Sequence, residues 1–176
     1  MLLDYFLTVA GSKLAARKYR QHFKFEYYEM NPTWQKSIAQ GRWFCPRHLF
    51  AVLGVSFGCF VWCDAWREPS QLSEGMLGFF LILYSAVLAA HVNVILASWR
   101  ILRHPEEVSG EITLSHKHLL AMSRYHSFMA LFPVACAAWL APSPFLYGGV
   151  ASLLLLIVHM SIWSFNYRSR PSQETA

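Results

Sequence analysis

Two histidines stand inside otherwise apolar runs of this chain: His91 within 76–99 and His159 within 145–165. Imidazole titrates near neutral pH, both donates and accepts hydrogen bonds, and ligates metal ions and haem iron. A polar side chain in hydrocarbon is costly, so a residue of this kind inside a membrane marks function by default. Each histidine belongs to a stripe at seven-residue spacing, Tyr84, His91 and Ser98 in one run and Ser152, His159 and Asn166 in the other. About seven residues make two turns of helix, so each trio shares a face. His91 lies fifteen residues past Met76 and His159 fifteen past Pro144. At 1.5 Å per residue, both sit ~22 Å from the starts of helices running in the same direction. If the two faces meet, the imidazoles oppose each other at one depth.

Three chemistries fit such a pair. It could hold haem b by axial ligation, line a proton or ion pathway, or bridge helices through hydrogen bonds to Tyr84 or Asn166. A second group gathers outside the apolar runs: His48, His104, His116, His118 and His126, with Glu106, Glu107 and Glu111. No pair among them has the spacing of a helical metal motif, so any metal ligand set stays unknown. Cys45, Cys59, Cys63 and Cys136 are too few and too scattered for a disulfide framework and read as small apolar residues. Glu26 and Glu29 share a face just before Asn31-Pro32, a helix stop, with Trp34 as an interface anchor.

The elements that position these residues follow from composition. Of 176 residues, 55% are hydrophobic and 14% charged, against about a quarter charged in soluble domains. Four apolar runs, at 49–63, 76–99, 125–141 and 145–165, are expected to span a bilayer, the third kinkable at Pro133. All fifteen lysines and arginines except Arg67 fall before the first run, between the second and third, or after the fourth. Basic loops stay on the cytoplasmic side, so both termini are expected there, in a multi-pass protein of the cell (inner or plasma) membrane. The charge of +5 is then a matter of topology and gives no sign of nucleic acid.

The expected fold is all-α: a four-transmembrane-helix bundle over 46–167, an N-terminal basic segment over 1–45 lying on the membrane surface, and a tail at 168–176. Within that segment, 1–11 reads as an interfacial helix with Leu3, Phe6, Leu7 and Ala10 on one face. Gly11-Ser12 is expected to end it, with Ser12 capping a second helix from Lys13 to Glu29. The basic and aromatic residues interleaved there suit anionic lipid headgroups. A further helix is expected over 113–124.

Small residues at four-residue spacing let helices approach closely: Gly54 and Gly58 in the first run, Ala86 and Ala90 in the second, Gly148 and Ser152 in the fourth. Gly54, Gly58 and Gly148 are therefore expected to close the bundle or join a second copy. The leading functional reading is an oligomeric bundle of the channel or transport type with its polar stripe turned inward, more plausibly a conduit than an enzyme. The alternatives are a haem b-binding electron-transfer subunit using His91 and His159, and a structural subunit of a larger membrane complex.

Overall fold

The computed structural model describes residues 2–16, 22–25, 31, 33–65 and 71–168. The pair Glu26 and Glu29, Pro32, the loop with Arg67 and the tail after Arg168 lie outside the described residues. Of the described residues 83% are helical, and the fold is all-α in class. In order it forms α1 (Leu2–Ala15), β1 (Phe23–Phe25), α2 (Gln35–Ala39), α3 (Pro46–Ala65) and α4 (Gln71–Arg103). A 3-10 turn at Pro105–Glu107, β2 (Ile112–Leu114), α5 (His116–Leu140) and α6 (Pro144–Arg168) follow.

Among the described residues two helices are long and apolar enough to cross a membrane, α4 and the 144–166 part of α6. The described apolar part of α3, Pro46–Val61, is shorter. The 25-residue α5 carries His116, Lys117, His118, Arg124 and His126, which dilute its apolar character. Pro46 opens α3 and Pro144 opens α6, where the missing N–H of proline costs no helical hydrogen bond. Pro133 sits inside α5, as expected.

Helix α6 is the hub. It packs along α4 on one side and α5 on the other, and α4 and α5 scarcely meet. The α4–α6 seam is built from glycines. A Cβ added at Gly78 would collide with the backbone of Phe145, and one at Gly148 with the backbone of Gly75. One at Gly149 would strike the side chain of Ile82. Gly75 and Gly78 thus meet the start of α6, and Ile82 meets it one turn on, so the two helices run in the same direction. Gly148 lies within this seam. Gly54 and Gly58 do not make a contact of this kind: α3 leaves both exposed, and a Cβ at either would meet nothing within 4 Å.

Three expectations for local structure are corrected. Helix α1 runs through Gly11-Ser12 to Ala15 instead of ending there. Both residues are buried, and tertiary packing overrides their weak helix propensity. No helix covers 13–29 throughout, because Phe23–Phe25 forms a parallel ladder with Ile112–Leu114. Alternating aromatic and basic residues fit a two-residue period as well as a helix, and aromatics favour strands. Residues 112–114, with β-branched Ile112 and Thr113, are the partner strand of β1, and α5 begins only at His116, where the Ser115 hydroxyl accepts from the His118 N–H at 3.2 Å.

The face of α1 that carries Leu2, Leu3 and Phe6 is exposed, and Tyr5, Thr8, Val9, Ser12 and Ala15 are buried. The amphipathic pattern is as expected, but the helix does not lie apart from the bundle: its inner face packs along α4. Its base is held by a small core of Tyr5, Val9, Ile38 and Cys45 with Trp34 against it. Here the Tyr5 hydroxyl donates to the Arg42 carbonyl at 2.8 Å, and the Tyr5 ring stacks on His48 with centroids 4.7 Å apart.

Candidate functional site

His91 projects from the apolar stretch of α4 toward α1. Its Nε2 lies 2.8 Å from the Asp4 carboxylate Oδ1 and 3.3 Å from the Thr8 hydroxyl. The Thr8 hydroxyl donates to the Asp4 backbone carbonyl at 2.9 Å, so the ring N–H is the donor to both oxygens. Asp4 and Thr8 are one helical turn apart and therefore share a face. The side chains of His91 and Asp4 are only 21% and 27% exposed, so the carboxylate–imidazole contact is largely screened from the surroundings.

The α4 stripe is turned inward along its length. Tyr84 is half-buried and lines, with Leu2, Val52, Val55, Ser56, Cys59 and Phe80, a cleft of about 500 Å³ between α1, α3 and α4. Ser98 is fully buried, and its hydroxyl finds no partner among the described residues. Leu2 sits beside Tyr84 in that cleft, and Asp4 and Thr8 meet His91. Helix α1 therefore runs in the same sense as α4, covering its polar stripe from Tyr84 inward.

The α6 stripe behaves differently. Ser152 is fully buried and its hydroxyl donates to the Gly149 carbonyl at 2.8 Å, which satisfies it within its own helix. His159 and Asn166 are exposed, and the His159 ring lies edge-on to Trp163 at 4.3 Å. The buried face of α6 is centred on Leu153, Ile157 and Met160. Ser152 sits roughly 100° from Leu153, and the stripe drifts a further ~20° per seven residues, so it leaves the packed face as the helix proceeds. The two imidazoles are thus engaged separately, His91 by α1 and His159 by Trp163. Axial ligation of a haem iron through His91 would require its Nε2 to leave Asp4.

Asp4 and Thr8 were not legible as site residues from histidine spacing alone. A signal existed: Asp4 is the single acid in an apolar segment, and Thr8 follows it by four. Among the described residues no three of His, Cys, Asp and Glu come together as a metal-ligand set.

Two ion-paired clasps flank the far end of α4. Arg100 donates to Glu107 twice, at 2.7 and 3.2 Å, and Lys24 meets Glu111 at 2.7 Å. The hydrogen bond from Arg100 holds the Glu107 carboxyl below its ordinary range. The His22 Nδ1 is 3.0 Å from the Gly110 carbonyl, so β1 is tied to the same loop by side chains as well as by its ladder. Comparison with protein-family models, with curated proteins and with solved structures returns no match.

Proposed function

We propose that the chain is a multi-pass membrane protein of the transport type, with α3, α4, α5 and α6 as four spans, the basic segments and the C-terminal tail cytoplasmic, and the Asp4–His91 pair as its proton-handling centre. The 2.8 Å contact between a carboxylate and an imidazole on the longest apolar helix supports this reading most. A carboxylate hydrogen-bonded to an imidazole sets a proton acceptor and a proton donor side by side in an apolar setting, which suits a proton or ion pathway. The common direction of α4 and α6 agrees with two spans that both run from outside to inside, as four spans with cytoplasmic ends require. Oligomerisation, in this reading, uses the exposed Gly54 and Gly58 face of α3.

The test is proton flux into liposomes containing the purified full chain, driven by a potassium gradient with valinomycin and read by an entrapped pH dye. Flux above that of empty liposomes is expected, with loss on His91→Gln. Glutamine keeps a hydrogen-bond donor toward Asp4 but does not titrate, so the pair loses its proton chemistry with the least change in packing. Flux equal to that of empty liposomes, or unchanged in His91→Gln, would sink the proposal.

A further inference from the structure

One face of α4 carries a stripe of side chains in depth order toward its Arg103 end. Val92, Leu96, Trp99 and Arg103 follow one another at spacings of four, three and four, so they form a single helical stripe. Val92, Leu96 and Trp99 are all large apolar residues left exposed. The Arg103 guanidinium lies 4.1 Å from the centroid of the Trp99 ring and has no acidic partner among the described residues. Beside the stripe, Leu96, Trp99, Arg100, His104 and Glu107 enclose a groove of about 330 Å³.

Along this face aliphatic carbon gives way to an indole and then to guanidinium. A glycerophospholipid presents the complementary order, acyl chain, ester region and phosphate. Indoles prefer the ester and headgroup level, where their N–H finds acceptors, and guanidinium binds phosphate through paired N–H groups. The charges also match. Arg100 is balanced by Glu107, whereas Arg103 meets no acidic partner among the described residues, and a phosphodiester carries one negative charge. Glu107 holds the Arg100 fork from one side, which fixes the guanidinium plane and leaves its other N–H groups available. His104 lies 3.2 Å from the Glu106 carboxylate, so Glu106 is turned to His104 and not to either arginine.

We propose that this stripe and the groove beside it form a binding site for a single phospholipid of the cytoplasmic leaflet, its phosphodiester held by Arg103 and Arg100 and its acyl chain lying on Trp99, Leu96 and Val92. The site rests on the membrane reading above. It is separate from the basic N-terminal segment, where headgroup attraction is diffuse.

The test is native mass spectrometry of the detergent-purified full chain titrated with phosphatidylglycerol. Arg103→Gln is expected to weaken binding roughly five-fold, the equivalent of about 1 kcal/mol for one basic residue at the headgroup level. Lys117→Gln, which removes the same charge outside the groove, should leave the affinity unchanged. Diacylglycerol with the same chains should not bind, and inorganic phosphate should not displace the lipid. Equal weakening by both substitutions would mean unspecific attraction. Equal binding of diacylglycerol would mean an apolar groove only, and displacement by inorganic phosphate would mean a free-anion site; each of these overturns the proposal, as does an Arg103→Gln affinity within about two-fold of wild type. Release of the chain from membranes by alkaline carbonate, which would contradict the membrane reading itself, is scored separately.

Discussion

Replacing Gly78 by leucine is expected to destabilise the chain by more than about 3 kcal/mol, the upper part of the range for overpacking. The α4–α6 seam brings backbone against backbone at this point, and even a single Cβ would overlap the Phe145 backbone. Flexible side chains can yield to an intruding methyl, but here the obstacle is main chain in two long helices. Relief requires the helices to separate, which takes away the packing that Gly75, Gly148 and Gly149 share. Ala97→Leu is the control on the same helix, because Ala97 is exposed. Its cost should stay within about 0.5 kcal/mol, as for an open surface position. Thermal unfolding of both variants in one detergent separates them, and a similar midpoint for both would mean that the glycine seam does not hold the helices together.

The second large effect concerns α1. Removing either partner of the Asp4–His91 contact, by Asp4→Ala or His91→Ala, should weaken α1 docking by roughly 1.5–3 kcal/mol, the range for hydrogen bonds to charged groups. Both side chains are mostly covered, so water replaces the lost partner poorly. The double variant should cost less than the sum of the single ones, because once one partner is gone the other has nothing left to lose. Amide exchange along Leu2–Ala15 reads the effect directly. Tyr5 and Val9 still anchor the helix base, so the change should be greatest in its first turns. Additive single effects would show that the pair carries no coupling.

The helical class and most helix starts could be read from the sequence, because Pro46 and Pro144 and the apolar runs act locally. The polar stripe of α4 was legible as a face, since seven-residue spacing follows from helix geometry alone. What faces it was not. Partner choice depends on how helices pack, and four apolar faces with small residues offer several pairings of similar merit. Gly54 and Gly58 have the right spacing for close contact, yet the seam forms at Gly75, Gly78, Gly148 and Gly149, where backbone approach also suits the neighbouring Phe145 and Ile82. His91 and His159 share a depth, but the buried face of α6 turns away from the His159 stripe. Asp4 was hidden for a different reason: it belongs to a segment too short to span, and only tertiary contact brings it to α4. The Phe23–Phe25 ladder was likewise missed, because its partner strand lies far along the chain.

The polar centre and the lipid groove both depend on the chain crossing the bilayer with its basic segments inside, and the sidedness of two sites tests that most directly. In a background lacking the native cysteines, single cysteines at Gln71 and at Glu107 are exposed in intact cells to a membrane-impermeant thiol reagent. The account predicts that the Gln71 position is labelled from outside, and that the Glu107 position is labelled only after the membrane is permeabilised. Labelling of Glu107 in intact cells would contradict it, because the turn between α4 and α5 would then lie on the outer face along with its basic residues.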